Sequence, residues 1–172
     1  MSSSAVGLVP NDLSVEATDD RKLDSRFSVF PTEIVRRTAP AGLPFAGSLT
    51  SVEAWALSSR GLATLVDVRT AEELKFVGHV PGSRHVAWMT GLSLVRNPRF
   101  VRDLEAIADK SEPLLLLCRS GKRSAAAAEA ATKAGFRYVF NIEDGFEGNL
   151  DAEQRRGRLN GWRHAGLPWI QD

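Results

Sequence analysis

Four consecutive leucines, residues 114–117, follow Pro113 and run directly into Cys118, Arg119, Ser120, Gly121, Lys122, Arg123 and Ser124; residues 125–131 are then alanine except for Glu129. A short apolar run without alternation reads as a strand buried on both faces, and the alanine block reads as a helix ending at Gly135. Strand, tight loop and helix in that order point to an α/β layer. The loop falls at the carboxyl end of the strand, where the free N–H groups of a helix N-terminus gather. The only cysteine of the chain stands at that turn.

A free thiol is mostly protonated at neutral pH, but a helix N-terminus and nearby cations favour its thiolate. Arg119, Lys122 and Arg123 supply three positive charges, and no acid lies between Glu112 and Glu129. Cys118 is therefore expected to be a nucleophile held as an anion, and the loop to attract an anionic substrate. The alternative is a cysteine that only fills space, and the charge pattern around Cys118 argues against it.

The loop from Cys118 to Ser124 is preceded by Leu65, Val66, Asp67, Val68 and Arg69 and by Gly78, His79, Val80, Pro81 and Gly82. It is followed by Gly161, Trp162, Gly166, Leu167, Pro168 and Trp169. In that order these motifs resemble a single-domain rhodanese, a sulfurtransferase, over about residues 47–170. The resemblance implies an α/β fold, a central parallel sheet flanked by helices on both faces. It implies that Cys118 carries sulfane sulfur as a persulfide between a donor such as thiosulfate and an acceptor such as cyanide, a thiol or a protein. Arg119, Lys122 and Arg123 would draw in the anion, while the amides of residues 119–124, Gly121 among them, and the hydroxyls of Ser120 and Ser124 would stabilise charge on sulfur. Asp67 and Arg69 are implied to be supporting residues. No organic cofactor and no metal is called for.

Two other functions stay open. Cysteine phosphatases and arsenate reductases look like Cys, five residues, then Arg, whereas here four residues separate Cys118 from Arg123 and the phosphatase position is Ser124. A relay module that takes sulfur only from a partner protein would fit the same loop. The expected partners are a small anionic sulfur donor and, still open, a protein donor or acceptor and a second copy of the chain.

With 172 residues and a single cysteine, one domain without internal disulfides is expected, and a free thiol fits a reducing compartment. A net charge of +1 offers no global field for nucleic acid or a membrane surface. Residues 1–10 lack a basic start and a continuous apolar run, so no secretory signal is read there and a cytoplasmic location is expected. Residues 1–46 read as an N-terminal extension. Its first half is polar; Phe27, Val29, Phe30, Ile34, Val35, Leu43 and Phe45 then alternate with prolines, which suits wrapping a domain better than forming one. A helical turn is expected around residues 32–37, and residues 47–172 are assigned to the domain.

Within the domain, Thr50 and Glu53 have the spacing of a capping box, so a helix should run to about Ser59 and stop near Gly61. Residues 63–68 read as a buried strand ending at Asp67 and Arg69, with Asp67 holding loop amides and Arg69 pairing with Glu72 or Glu73. A short helix over 71–77, a strand at 85–87, a helix over 99–108 and a last strand over 137–142 complete the pattern. Phe100, Val101, Leu104 and Ile107 share one face of the 99–108 helix. None of His79, His85 and His164 is expected to act as a base, and the histidines and the cysteine show no zinc-ligand spacing. Asp144, where the resemblance leads one to expect glycine, is expected to weaken anion binding. Residues 146–160, longer than the connection in minimal members, read as a solvated loop, with a substrate-selecting flap as the alternative. Trp162 and Trp169 are expected to anchor packing.

Overall fold

The protein is described from a computed structural model over residues 38–171. The helical turn expected at residues 32–37 and the apolar residues Phe27 to Val35 lie outside the described residues.

The described chain forms, in order, β1 (Gly47–Leu49), α1 (Ser51–Ser58), β2 (Thr64–Asp67), α2 (Ala71–Val77), β3 (Arg84–His85), β4 (Met89–Thr90), β5 (Val95–Arg96), α3 (Phe100–Glu105), β6 (Pro113–Leu117), α4 (Lys122–Lys133) and β7 (Tyr138–Ile142). Five strands build one parallel sheet in the order β1, β7, β6, β2, β3, and β4 with β5 makes a separate antiparallel pair. The expected central parallel sheet is therefore present, with the leucine strand in its middle.

Alternation along β6 divides the core. Leu115 and Leu117 face one cluster with Leu65, Phe140, Ile142 and Trp162, covered by Ala54 and Leu57 of α1. Leu114, Leu116 and Cys118 face the other, with Val66, Val139, Phe100 and Leu104 of α3 and Ala127, Ala128 and Ala131 of α4. Because successive side chains of a strand point to opposite faces, the even-numbered series carries Cys118 onto the α4 side. The alanine helix serves this placement, since small side chains let α4 lie close to the strand that feeds it. Helices thus cover both faces.

Local chemistry sets the boundaries. Glu53 N–H donates to Thr50 Oγ1, and Thr50 N–H donates back to Glu53 Oε2 at 2.7 Å, the capping box expected at the start of α1. Replacing Thr50 by alanine is expected to cost about 1 kcal/mol, read as a lowered urea midpoint. Several elements are shorter than the sequence pattern suggested. The 99–108 helix is confined to Phe100–Glu105, where Ile107 N–H bonds to Leu104 O in a tighter turn, and the strand expected at 85–87 is Arg84–His85. Val86 and Trp88 still donate N–H to Asp67 O and Val68 O, so that segment continues along the sheet edge with the hydrogen bonds of a strand but not its regularity. Among the described residues no helix is long and apolar enough to cross a membrane.

Candidate active site

Strand β6 ends at Leu117, and helix α4 begins at Lys122 with Gly121 as its N-cap in left-handed conformation (φ 82°). The loop between them is four residues, 118–121, and Lys122, Arg123 and Ser124 form the first helical turn. The first hydrogen bond of α4 runs from Ala125 N–H to Gly121 O, and no side chain caps the helix. Among the described residues no acceptor takes the N–H groups of Arg119, Ser120 and Gly121, so a fan of free donors surrounds the turn.

Two glycines allow this loop to lie against the segment after β7. A Cβ on Gly121 would run into the Glu143 carbonyl, and one on Gly145 (φ 65°) would stand 2.5 Å from Ser120 N. Phe146 N–H donates to Cys118 O, and the N–H groups of Glu147 and Gly148 both donate to Arg119 O. The carbonyls of Cys118 and Arg119 are thereby taken by the segment after β7, while the amides of residues 119–121 keep no acceptor among the described residues.

Cys118 itself is 1% exposed. Ser124 Oγ lies 3.2 Å from its Sγ, 3.1 Å from Gly121 O and 2.6 Å from the side-chain oxygen of Asn141. Asn141 was not anticipated from the sequence, although a lone amide in the apolar run of β7 is the mark of a polar group with a buried partner. It pairs in register with Leu116 and reaches across under the turn.

The cations do not act alike. Arg119 and Lys122 are exposed and enter no ion pair among the described residues. Arg123 turns away to Glu73 of α2, donating to both carboxylate oxygens at 2.6 and 2.7 Å. Donating to the Glu73 carboxylate holds the Arg123 guanidinium still more firmly protonated, with Cys118 and Asp67 adding to the effect. The expectation that Arg123 attracts the donor is corrected accordingly: its charge is largely neutralised before a substrate arrives. The position that a phosphatase arginine would take is Ser124, which is buried against Cys118 and Asn141.

Glu73 has two tasks. Its backbone N–H donates to Thr70 Oγ1 while its carboxylate accepts from Thr70 N–H, a second capping box, at the start of α2. Burial pushes this carboxyl up, but hydrogen bonds from Arg123 and Thr70 outweigh it and leave Glu73 below its ordinary value of 4.5. A depressed carboxylate contributes stability that is present above its unfolded value and lost as pH falls through the folded one. Glu73→Gln is therefore expected to lower stability at neutral pH by about 2 kcal/mol and to flatten the acid dependence of the urea midpoint.

Asp67 and Arg69 are fully buried and pair with each other, Arg69 Nη2 donating to Asp67 Oδ2 at 2.6 Å and Nε to Oδ1 at 3.0 Å. The expected partner Glu72 or Glu73 is not used, because the guanidinium folds back toward its own strand and also donates to Gly78 O. It lies 4.0 Å over the Phe146 ring, and Phe146 holds the carbonyl of Cys118. Asp67 and Arg69 thus act on the loop from below rather than touching the sulfur.

Asp144 accepts from Ser51 N–H (2.9 Å) and Ser51 Oγ (2.7 Å), so its charge faces the start of α1 and not the loop amides. The expected weakening of anion binding loses its geometric basis. Residues 146–160 are not simply a solvated loop. Gly157 N–H donates to Glu147 O, Arg156 Nη1 to Gly148 O, and Asp151 Oδ1 accepts from the N–H groups of Glu153 and Arg155. Its base is stitched to the Cys118 turn while its far end stays exposed. His79 pairs through its backbone with Ile170, His85 Nε2 is 2.8 Å from Arg69 O, and His164 is exposed. Trp162 is buried and donates Nε1–H to Pro168 O.

A model of the rhodanese-like domain matches residues 50–152. The chain belongs to the rhodanese-like family. Among solved structures the chain is similar to Rv0390 from M. tuberculosis, 43% identical, with a TM-score of 0.67 over 74% of this chain and 98% of that one. An uncharacterized protein of Rickettsia rickettsii is 41% identical over 115 residues, 66% of this chain and 87% of its own length. Thiosulfate sulfurtransferase GlpE of Pseudomonas aeruginosa is 34% identical over 85 residues, 49% of this chain and 67% of GlpE. The domain therefore sits in a family that includes sulfurtransferases.

Proposed function

We propose that the protein transfers sulfane sulfur through a persulfide on Cys118. The observation that carries this is the position of Sγ at the mouth of a helix N-terminus, beside the Ser124 hydroxyl and the unclaimed amides of residues 119–121. In the first half-reaction the Cys118 thiolate attacks the outer sulfur of thiosulfate. A new S–S bond forms, the old one breaks, and its electron pair leaves with sulfite. In the second, cyanide or a thiolate attacks the terminal sulfur, and the pair returns to Cys118 as the thiolate.

Each intermediate keeps a negative charge at the turn. Loop amides and the positive end of the twelve-residue α4 stabilise it, and Arg119 and Lys122 at the rim raise the local concentration of the anionic donor. When the Asn141 amide presents nitrogen to Ser124 Oγ, the Ser124 proton is free to donate to sulfur. No base is required, since attacking and leaving groups are already anions. On this reading residues 47–172 carry the activity and residues 1–46 are an extension of it.

Thiocyanate formation from thiosulfate and cyanide tests the proposal. Steady turnover is expected. Hydrolysis of an aryl phosphate without thiocyanate would contradict it.

A further inference from the structure

Beside the Cys118 turn lies a depression of about 300 Å³ that the persulfide cycle does not use. One wall is Arg119 of the turn; the rest is largely apolar, from Phe76 and Val77 of α2 and from Leu92 and Leu94 in the turn joining β4 to β5. These side chains are left in solvent: Leu92 is 88% exposed and Phe76 is 70% exposed. Adjoining exposed apolar groups at the lip of a reactive turn mark a contact site. A volume of this size is at the lower end for small-molecule pockets.

Glu72 gives the site polarity. It lines the same depression, and its Oε2 is covered by protein yet accepts no hydrogen bond among the described residues. A covered carboxylate oxygen without a donor is costly, and an N–H group seated in the pocket beside the Glu72 carboxylate would supply one. Its neighbour Glu73 is already occupied by Arg123 and Thr70. The pocket thus combines an apolar wall, one acceptor in need of a donor and, toward Cys118, an exposed cation.

We propose that this depression binds the organic body of the sulfur acceptor, a low-molecular-weight thiol that carries an apolar group and an ammonium or amide N–H. The apolar group rests on Phe76, Leu92 and Leu94, the N–H donates to Glu72, and the thiolate passes Arg119 to reach the Cys118 persulfide. The step balances: the acceptor sulfur bonds to the terminal sulfur, the bond from that sulfur to Cys118 breaks, and Cys118 keeps the electron pair as thiolate. The inference rests on the persulfide cycle proposed above and adds the class of acceptor.

Cysteine benzylamide, cysteine and cyanide serve as acceptors with thiosulfate as donor. Cysteine benzylamide is expected to exceed cysteine in kcat/KM by about tenfold, and Leu92→Ser and Phe76→Ser each to lower its kcat/KM relative to that of cyanide by about tenfold. Equal use of the two thiols, or an equal fall for thiol and cyanide in both variants, overturns the pocket. Binding is read separately from NMR shifts of the Leu92 and Leu94 methyl groups on adding alanine benzylamide, which cannot accept sulfur. Shifts without transfer to any acceptor support the pocket and sink the persulfide cycle. Cyanide turnover without shifts does the reverse.

Discussion

Replacing Cys118 by serine is expected to lower sulfur transfer from thiosulfate to cyanide by roughly a thousandfold or more while leaving the fold intact. The substitution changes one atom at a position that is 1% exposed, and the new hydroxyl has Ser124 Oγ at hand as a partner. Folding is preserved because the loop is shaped by backbone contacts that do not involve the thiol: Gly121 against Glu143, Gly145 against Ser120, and Phe146 N–H on the Cys118 carbonyl. Activity is lost because an alkoxide is not formed at neutral pH and cannot carry sulfane sulfur reversibly. Retained thiocyanate formation in a folded Cys118→Ser protein would place the chemistry elsewhere.

Asp67→Ala is expected to have the largest effect on stability, a loss of about 3–5 kcal/mol, because it leaves the fully buried Arg69 guanidinium without its counter-charge. The melting temperature should fall by about 10 °C in a domain of this size. The damage should reach the active site as well. Arg69 underlies the Phe146 ring, Phe146 holds the Cys118 carbonyl, and Val68 N–H bonds to Leu117 O one residue before the nucleophile. The paired replacement Asp67→Leu with Arg69→Met removes both charges and is expected to be more stable than Asp67→Leu alone. A double variant no better than the single one would show that the two side chains do not depend on each other.

The layer order was legible because β6 announces itself. Four leucines need burial on both faces, the alanine run needs a helix, and a parallel sheet follows from joining them. Cys118 and its turn were legible for the same reason, since alternation along residues 114–118 assigns each side chain to a face. What the sequence pattern missed is pairing across the sheet. Linear counting saw three cations near Cys118, yet Glu73, fifty residues earlier, takes Arg123 through the fold. It likewise put Arg69 on a nearby helix acid, whereas a buried guanidinium is held by the carboxylate that reaches it in the core. Asp144 looked dangerous by position and proved to serve the first turn of α1. Charge counts along a chain do not say which charges have been used, and the helix ends at residues 99–108 depend on packing that periodicity does not contain.

Whether Cys118 itself carries sulfur is tested most directly by intact mass before and after thiosulfate. The protein should gain one sulfur, about 32 Da, which cyanide removes and which Cys118→Ser does not acquire. Thiocyanate production by a protein that never gains this mass, or the same gain in Cys118→Ser, would contradict the persulfide cycle.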